Sequence, residues 1–182
     1  GDALLNYAFE IMLKESLGKE NAAVRLKAIY EIARCAGIYG MIGGQVVDIE
    51  SENKSIEKEK LDFIHMNKTA AMIIGCMRAG AIMGNACEDD LQNITKYAKN
   101  IGLAFQIVDD ILDIVGDEKA LGKPVGSDIE NHKSTYPSLI GLDESKKVAT
   151  DLIKEAKDSI RKISGESRFL EDLADYIISR DH

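Results

Sequence analysis

One stretch of the chain concentrates residues that can do chemistry: Gln106-Ile107-Val108-Asp109-Asp110-Ile111-Leu112-Asp113, at the end of a long helical pattern. A helix turns about 100° per residue, so Asp109 and Asp113 lie roughly 40° apart on one face, with about 6 Å of rise between them. Gln106 falls within the same arc, and Asp110 sits about 60° from Asp113, on its flank. Carboxylates crowded into two turns repel one another, and the partial negative charge of a helix C-terminus adds to the repulsion. A solvated acidic helix end would relieve the strain, but Asp109 and Asp113 continue the apolar face that runs through Phe105. Carboxylates that face a cavity need a cation, and hard oxygen ligands select Mg²⁺ or Mn²⁺. Mg²⁺ keeps several waters and commonly takes one or two carboxylates plus phosphate oxygens. The pattern predicts metal-assisted chemistry on a phosphorylated ligand.

Matching positive charge comes later in the chain, in Gly122-Lys123-Pro124 and in Lys133-Ser134-Thr135-Tyr136-Pro137. Glycine permits close backbone approach, and each Lys is a point charge for phosphate. Lys119 reads as an ordinary solvated loop lysine. Lys68-Thr69 is a third candidate. It falls where two helical patterns meet, so ammonium, hydroxyl and free backbone N–H groups could converge there on an anion.

The elements that must position these groups are helical. Asp2 is a good N-cap for a helix over 3–17, and Gly18 stops it. Asn21 can cap the next helix, whose stripe of Ile29, Ile32, Ala33, Ala36 and Gly40 narrows to small residues and leads into Gly43-Gly44-Gln45-Val46-Val47-Asp48. Ser55 can cap a third, through Leu61 and Ile64. The apolar stretch from Thr69 to Cys87 has Arg78 at its centre, where a charge costs about 2.5–3.5 kcal/mol on membrane-insertion scales. It reads as a central helix buried on all sides, not a membrane span, with Gly80 and Gly84 marking close helix contact. A long helix from Asp89 to Val115 carries the core face Ile94, Ala98, Ile101, Phe105, Val108 and Leu112. Residues 116–137 read as loop. Two amphipathic helices close the chain, one with Val148, Leu152 and Ala156, the other with Leu170, Leu173, Ala174 and Ile177. The expectation is an all-α bundle of about seven helices.

Composition narrows the function classes. With 45% apolar residues in 182, the chain can build a core, so disorder is excluded. Aromatics are only 5% and β-branched residues do not alternate with polar ones, which argues against a sheet. A net charge of -8 argues against a nucleic-acid surface. Cys35, Cys76 and Cys87 are odd in number and widely spaced, so they read as buried free thiols in a reducing, cytoplasmic setting. The chain opens Gly1-Asp2, its first Met is Met12, and no signal peptide is visible, so residues 1–182 read as a single partial domain of a longer chain.

Together these segments resemble the trans-isoprenyl diphosphate synthases, especially the farnesyl and geranylgeranyl diphosphate synthases. Gly1-Asp2-Ala3-Leu4-Leu5 looks like the family's GDALL, and Gly43-Gly44-Gln45 with Asp48 looks like its GGQxxD. Lys68-Thr69 matches KT, and Gly102 through Asp113 matches GxxFQxxDDxxD. Gly122-Lys123 and Lys133 through Pro137 match the family's segments beyond that motif. Six segments in order make the resemblance specific. It implies a helical bundle of the isoprenoid synthase type and head-to-tail prenyl transfer: an allylic diphosphate ionises, isopentenyl diphosphate attacks the cation, and a proton leaves. It implies Mg²⁺ held between two facing aspartate-rich motifs. Asp109, Asp110 and Asp113 would belong to the second, with Asp109 the direct ligand and Asp110 behind it. Lys68, Lys123 and Lys133 would hold the allylic diphosphate, with Gln45, Asp48, Thr69, Phe105 and Gln106 lining the reacting region. The family's habit of dimerisation implies a homodimer.

In the family, the first aspartate-rich motif, the Arg-Arg pair after it and the isopentenyl diphosphate site all precede GDALL, where this chain begins. Asp89-Asp90 is no substitute, because acidic residues in a helix's first turn simply complement its dipole. The expectation is a C-terminal portion, with the N-terminal helices missing and no condensing activity of its own. Two alternatives stay open. One is a non-catalytic subunit or truncated structural partner. The other is a class I terpene cyclase, against which GDALL and KSTYP count.

Overall fold

The computed structural model describes residues 1–116 and 133–180. Lys123, with its neighbours Gly122 and Pro124, lies outside the described residues. The described residues form nine α-helices: α1 Asp2–Lys14, α2 Ala22–Ala36, α3 Met41–Glu50, α4 Lys58–His65, α5 Ala71–Met83, α6 Glu88–Val115, α7 Tyr136–Ile140, α8 Leu142–Ile160 and α9 Arg168–Ser179. The all-α class is as expected. Two helices are not: α3, which the sequence presents as a glycine-rich tail of α2, and α7, which begins inside the expected loop. Thr135 caps α7 with a reciprocal capping box to Ser138, and Pro137 sits in its first turn, where its missing N–H costs nothing.

The long helix α6 is the spine. Its apolar residues serve two cores. Tyr97, Ile101 and Ala104 pack with Ile153, Ala156 and Ile160 of α8 and with Ala174 and Ile177 of α9. Further along, Ile107, Val108, Ile111 and Leu112 pack with Leu61 of α4, Tyr136 of α7 and Ala149 of α8. Tyr97 anchors the first core by donating its hydroxyl to the Leu170 carbonyl at 2.7 Å, and burial pushes its phenol well above the usual range. Asp90 does more than complement the helix dipole. It is buried and accepts the Ser164 backbone N–H at 2.9 Å, tying the α8–α9 connection to the start of α6.

Several local expectations change. Asn21 stands at the α2 N-cap but accepts from Arg25 Nε at 2.8 Å, with no side-chain cap bond. Ser55 does not cap α4, which starts after Glu57. The α5 helix is not buried all round: Ala71, Gly75 and Ala79 face inward, while Cys76 and Gly80 are exposed. Its close contact is made at Gly75, where a Cβ would lie 2.8 Å from the Cys35 Cβ, and a Cβ at Gly80 would meet open space. Cys35 is buried, but Cys76 and Cys87 are exposed. Arg78 explains how a charge survives in this stretch. It pairs with both oxygens of Glu31 on α2 at 2.8 and 3.0 Å and donates to Thr95 Oγ1 on α6 at 2.7 Å. The same hydrogen bonds hold the Glu31 carboxyl below its ordinary value. Among the described residues no helix is long and apolar enough to cross a membrane. The α1 helix buries no residue, and with α2 and α3 it leaves Leu4, Leu17, Tyr30 and Tyr39 well exposed.

Candidate active site

The site is organised by one irregular turn. Between α4 and α5 the chain makes a single π-helical turn, Met66–Ala70, instead of a helix break. Backbone angles stay right-handed from His65 (φ -60, ψ -42) to Ala71 (φ -56, ψ -43). Lys68-Thr69 is therefore mid-helix, and the free helix-end N–H groups expected there do not exist. Single π turns inside α-helices occur often at functional sites, because the extra residue re-aims the side chains.

Two glycines press neighbouring helices onto this turn. A Cβ on Gly44 would overlap the Lys68 backbone nitrogen, so α3 lies directly against the turn. A Cβ on Gly102 would come 2.8 Å from the Ala70 Cα, so α6 does the same from the other side. Four residues after each glycine, on the same helix face, stand Asp48 and Gln106. Asp48 Oδ2 accepts from Lys68 Nζ at 2.6 Å. Gly44→Ala should force α3 away from the turn and cost about 1–3 kcal/mol, as overpacking does. Gly80→Ala, into open helix surface, should be neutral or stabilising by about 0.5–1 kcal/mol. Thermal unfolding of the two variants of the full-length protein checks the pair.

A cavity of about 120 Å³ opens beside the π turn. Its walls bring together Asp48, Lys68, Gln106, Asp109, Asp110 and Lys133. His65, Thr135 and the apolar Leu61 and Ile64 complete the floor. Burial holds the His65 imidazole down to about 4, so it is neutral at physiological pH and adds no charge to the cavity. Its ring stacks on Tyr136, with centroids 5.6 Å apart.

The carboxylates are disposed differently from the helical-wheel expectation. Asp109 stands at the cavity mouth with its side chain 44% exposed, 3.7 Å from Arg180 Nη2. Asp110, expected on the flank, is buried, and its Oδ2 accepts the Tyr136 backbone N–H at 2.9 Å. Asp113 is 1% exposed and does not line the cavity. The wheel fails because α6 is covered on several sides: α4 and α7 lie over the flank that would otherwise meet water. Among the described residues no three His, Cys, Asp or Glu side chains form a group that could hold a metal by themselves. The cavity is nonetheless lined by the carboxylates of Asp48, Glu52, Asp109 and Asp110, and Mg²⁺ commonly takes only one or two from the protein and the rest from phosphate and water.

Besides Asp113, three expected residues fall elsewhere. Gln45 is exposed on α3, and Thr69 is half-buried on the π turn, neither in the cavity wall. Phe105 faces the other core, where the Arg180 guanidinium lies 4.0 Å over its ring and donates to the Phe105 carbonyl at 3.0 Å. Sequence reasoning missed His65 and Arg180. His65 precedes Lys68 by three residues, a spacing that puts both on one helix face and could have revealed it. Arg180 carries no local signal; only the docking of α9 brings it to Asp109.

Known proteins resemble this chain in sequence and in fold. The polyprenyl synthetase family model matches residues 1–167. The chain is 43% identical to the farnesyl diphosphate synthase of Bacillus subtilis over 182 residues, all of this chain and 62% of that protein. It is 42% identical to the geranylgeranyl diphosphate synthase of Cyanophora paradoxa, all of this chain and 61% of that one. It thus spans about three fifths of the length of these curated relatives. Its structure resembles that of a geranyltransferase from Helicobacter pylori complexed with magnesium and isoprenyl diphosphate, with a TM-score of 0.79 at 28% identity, over 97% of this chain and 57% of that one. A family match across most of the chain, similarity along its whole length and a shared helical fold lead to one conclusion: the chain belongs to the polyprenyl synthetase family.

Proposed function

We propose that this chain forms the diphosphate-ionising part of a short-chain prenyltransferase, which condenses an allylic diphosphate with isopentenyl diphosphate. The observation that carries the reading is the convergence of Lys68 and Lys133 with Asp109 on one cavity. Cations gathered around a departing diphosphate stabilise the charge that develops as the allylic bond breaks. Lys68 and Lys133 would grip the diphosphate, and Lys123 would join them from outside the described residues. Asp109, at the mouth, would be the direct Mg²⁺ ligand. Mg²⁺ bound there would supply Lewis-acid stabilisation of the leaving group. The similar geranyltransferase from Helicobacter pylori, complexed with magnesium and isoprenyl diphosphate, supports a Mg²⁺-dependent diphosphate site in general. Gln106 would orient the reacting end of the substrate, and the buried Leu61 and Ile64 would keep water from the allylic cation. Asp48 already holds Lys68 by a 2.6 Å bond, so the ammonium is poised before substrate enters.

The exposed apolar residues of α1–α3 are read as surface that a homodimer partner or the rest of a longer chain covers. The test of the function uses the full-length protein with Mg²⁺, an allylic diphosphate and labelled isopentenyl diphosphate. The expected product is a labelled prenyl diphosphate one or more units longer. A cyclic hydrocarbon formed from the allylic diphosphate alone would overturn the reading in favour of a terpene cyclase.

A further inference from the structure

We infer that Asp110 is a positioning residue, a clamp that holds Lys133 at the cavity rim, and not a metal ligand. The segment that carries Lys133 returns to the bundle and is fastened at successive residues. Ser134 Oγ accepts the Ile56 backbone N–H at 3.3 Å and donates to the Lys54 carbonyl at 3.4 Å. Thr135 and Ser138 cap each other. The Tyr136 ring is 3% exposed, stacks on His65, and its hydroxyl donates to Asp62. These contacts are made by the segment's side chains. Its backbone is joined to α6 by the hydrogen bond from Tyr136 N–H to Asp110 Oδ2, at 2.9 Å and buried. A carboxylate engaged by a buried amide three residues from Lys133 sets where that lysine's chain enters the cavity wall. Asp109 next to it stands at the mouth, 44% exposed. The two adjacent aspartates therefore divide the work: one meets solvent and ligand, the other fixes the strap that brings the counter-charge.

Two substitutions in the full-length protein separate clamp from ligand. Asp110→Asn keeps an oxygen that can accept the Tyr136 N–H but removes the charge. Asp110→Glu keeps the charge, but its extra methylene carries the oxygens off the amide. The first readout is hydrogen exchange of the segment 133–140, which needs neither metal nor substrate and so does not depend on the proposed reaction. Asp110→Asn should stay protected, while Asp110→Glu should exchange about 10-fold or more faster, the loss expected of one buried hydrogen bond. The second readout rests on the prenyl-transfer reading. Asp110→Glu should raise KM for the allylic diphosphate about 10-fold with its Mg²⁺ half-saturation unchanged, and Asp110→Asn should restore KM. If Asp110→Asn raises the Mg²⁺ requirement while Asp110→Glu does not, Asp110 is a ligand and the clamp is overturned. Unchanged exchange in Asp110→Glu also overturns it. An inactive parent protein would sink the proposed reaction and leave the exchange comparison to decide the clamp.

Discussion

Asp109→Ala in the full-length protein should lower prenyl-transfer turnover by about 10²–10³-fold even at saturating Mg²⁺, the scale of losing one element of a preorganised charge-stabilising site. Asp89→Ala should leave turnover close to normal. Both are acidic residues of α6, so the contrast isolates position from charge. Asp109 stands at the mouth of the cavity that also holds Lys68 and Lys133. Asp89 is exposed in the first turn, where its charge complements the helix dipole and is worth about 0.3–1 kcal/mol of stability. Steady-state kinetics across a Mg²⁺ titration measure both. Near-normal turnover of Asp109→Ala at saturating Mg²⁺ would reduce the acidic cluster to a helix end. Arg180 gives Asp109 a partner at 3.7 Å, so the alanine variant also leaves a mostly buried guanidinium without that carboxylate. A melting curve of Asp109→Ala separates this stability cost from the loss of turnover.

The 182 residues by themselves should incorporate no labelled isopentenyl diphosphate. The cavity carboxylates are Asp109 and Asp110 of α6, Glu52, and Asp48, which Lys68 already engages. Among the described residues no three-ligand group is assembled, and one oxygen of Asp110 already accepts from the Tyr136 N–H. Ionising an allylic diphosphate needs positive charge on the leaving group and a dry cavity around the allylic cation. The relatives that match this chain along its full length are themselves much longer, the chain covering 62% of the Bacillus subtilis protein. The exposed apolar residues of α1–α3 lead to the further expectation that the isolated 182 residues associate. Incorporation of label by the purified 182 residues, with no partner added, would overturn the expected inactivity. Light scattering on the same sample tests the association, and a clean monomer at high concentration would count against it.

Periodicity made much of the fold legible. The α6 boundaries fall within a residue of expectation, and Ala98, Ile101, Val108 and Leu112 are buried as their spacing requires. The two closing amphipathic helices turn inward through Ala156, Ala174 and Ile177. What escaped was local. The α3 helix is too rich in glycine for its period to stand out, and the five-residue α7 hides behind Pro137. The π turn has no signature in residue types, so Lys68-Thr69 looked like a helix junction. Gly80 looked like a packing glycine because it stands in a small-residue run, but the neighbouring helix crosses at Gly75.

By itself, the sequence determined that the chain is helical, that a carboxylate cluster ends its longest helix, and that lysines of Lys68-Thr69 and Lys133-Ser134 are available to answer it. Those features depend on residue type and helical spacing, which are local. Tertiary structure alone decided which carboxylate meets the cavity. A helical wheel assigns one direction to each side chain, but burial depends on what lies over that direction. On α6, α7 returns across the flank, so Asp110 meets a buried backbone amide while Asp109 meets the opening. The approach of α3 and α6 to within backbone contact of the π turn brings Asp48 and Gln106 beside Lys68, and α9 delivers Arg180 from the far end of the chain. Contacts between residues 20 to 75 positions apart come from how whole helices pack, and packing is set by the shapes of all the faces at once.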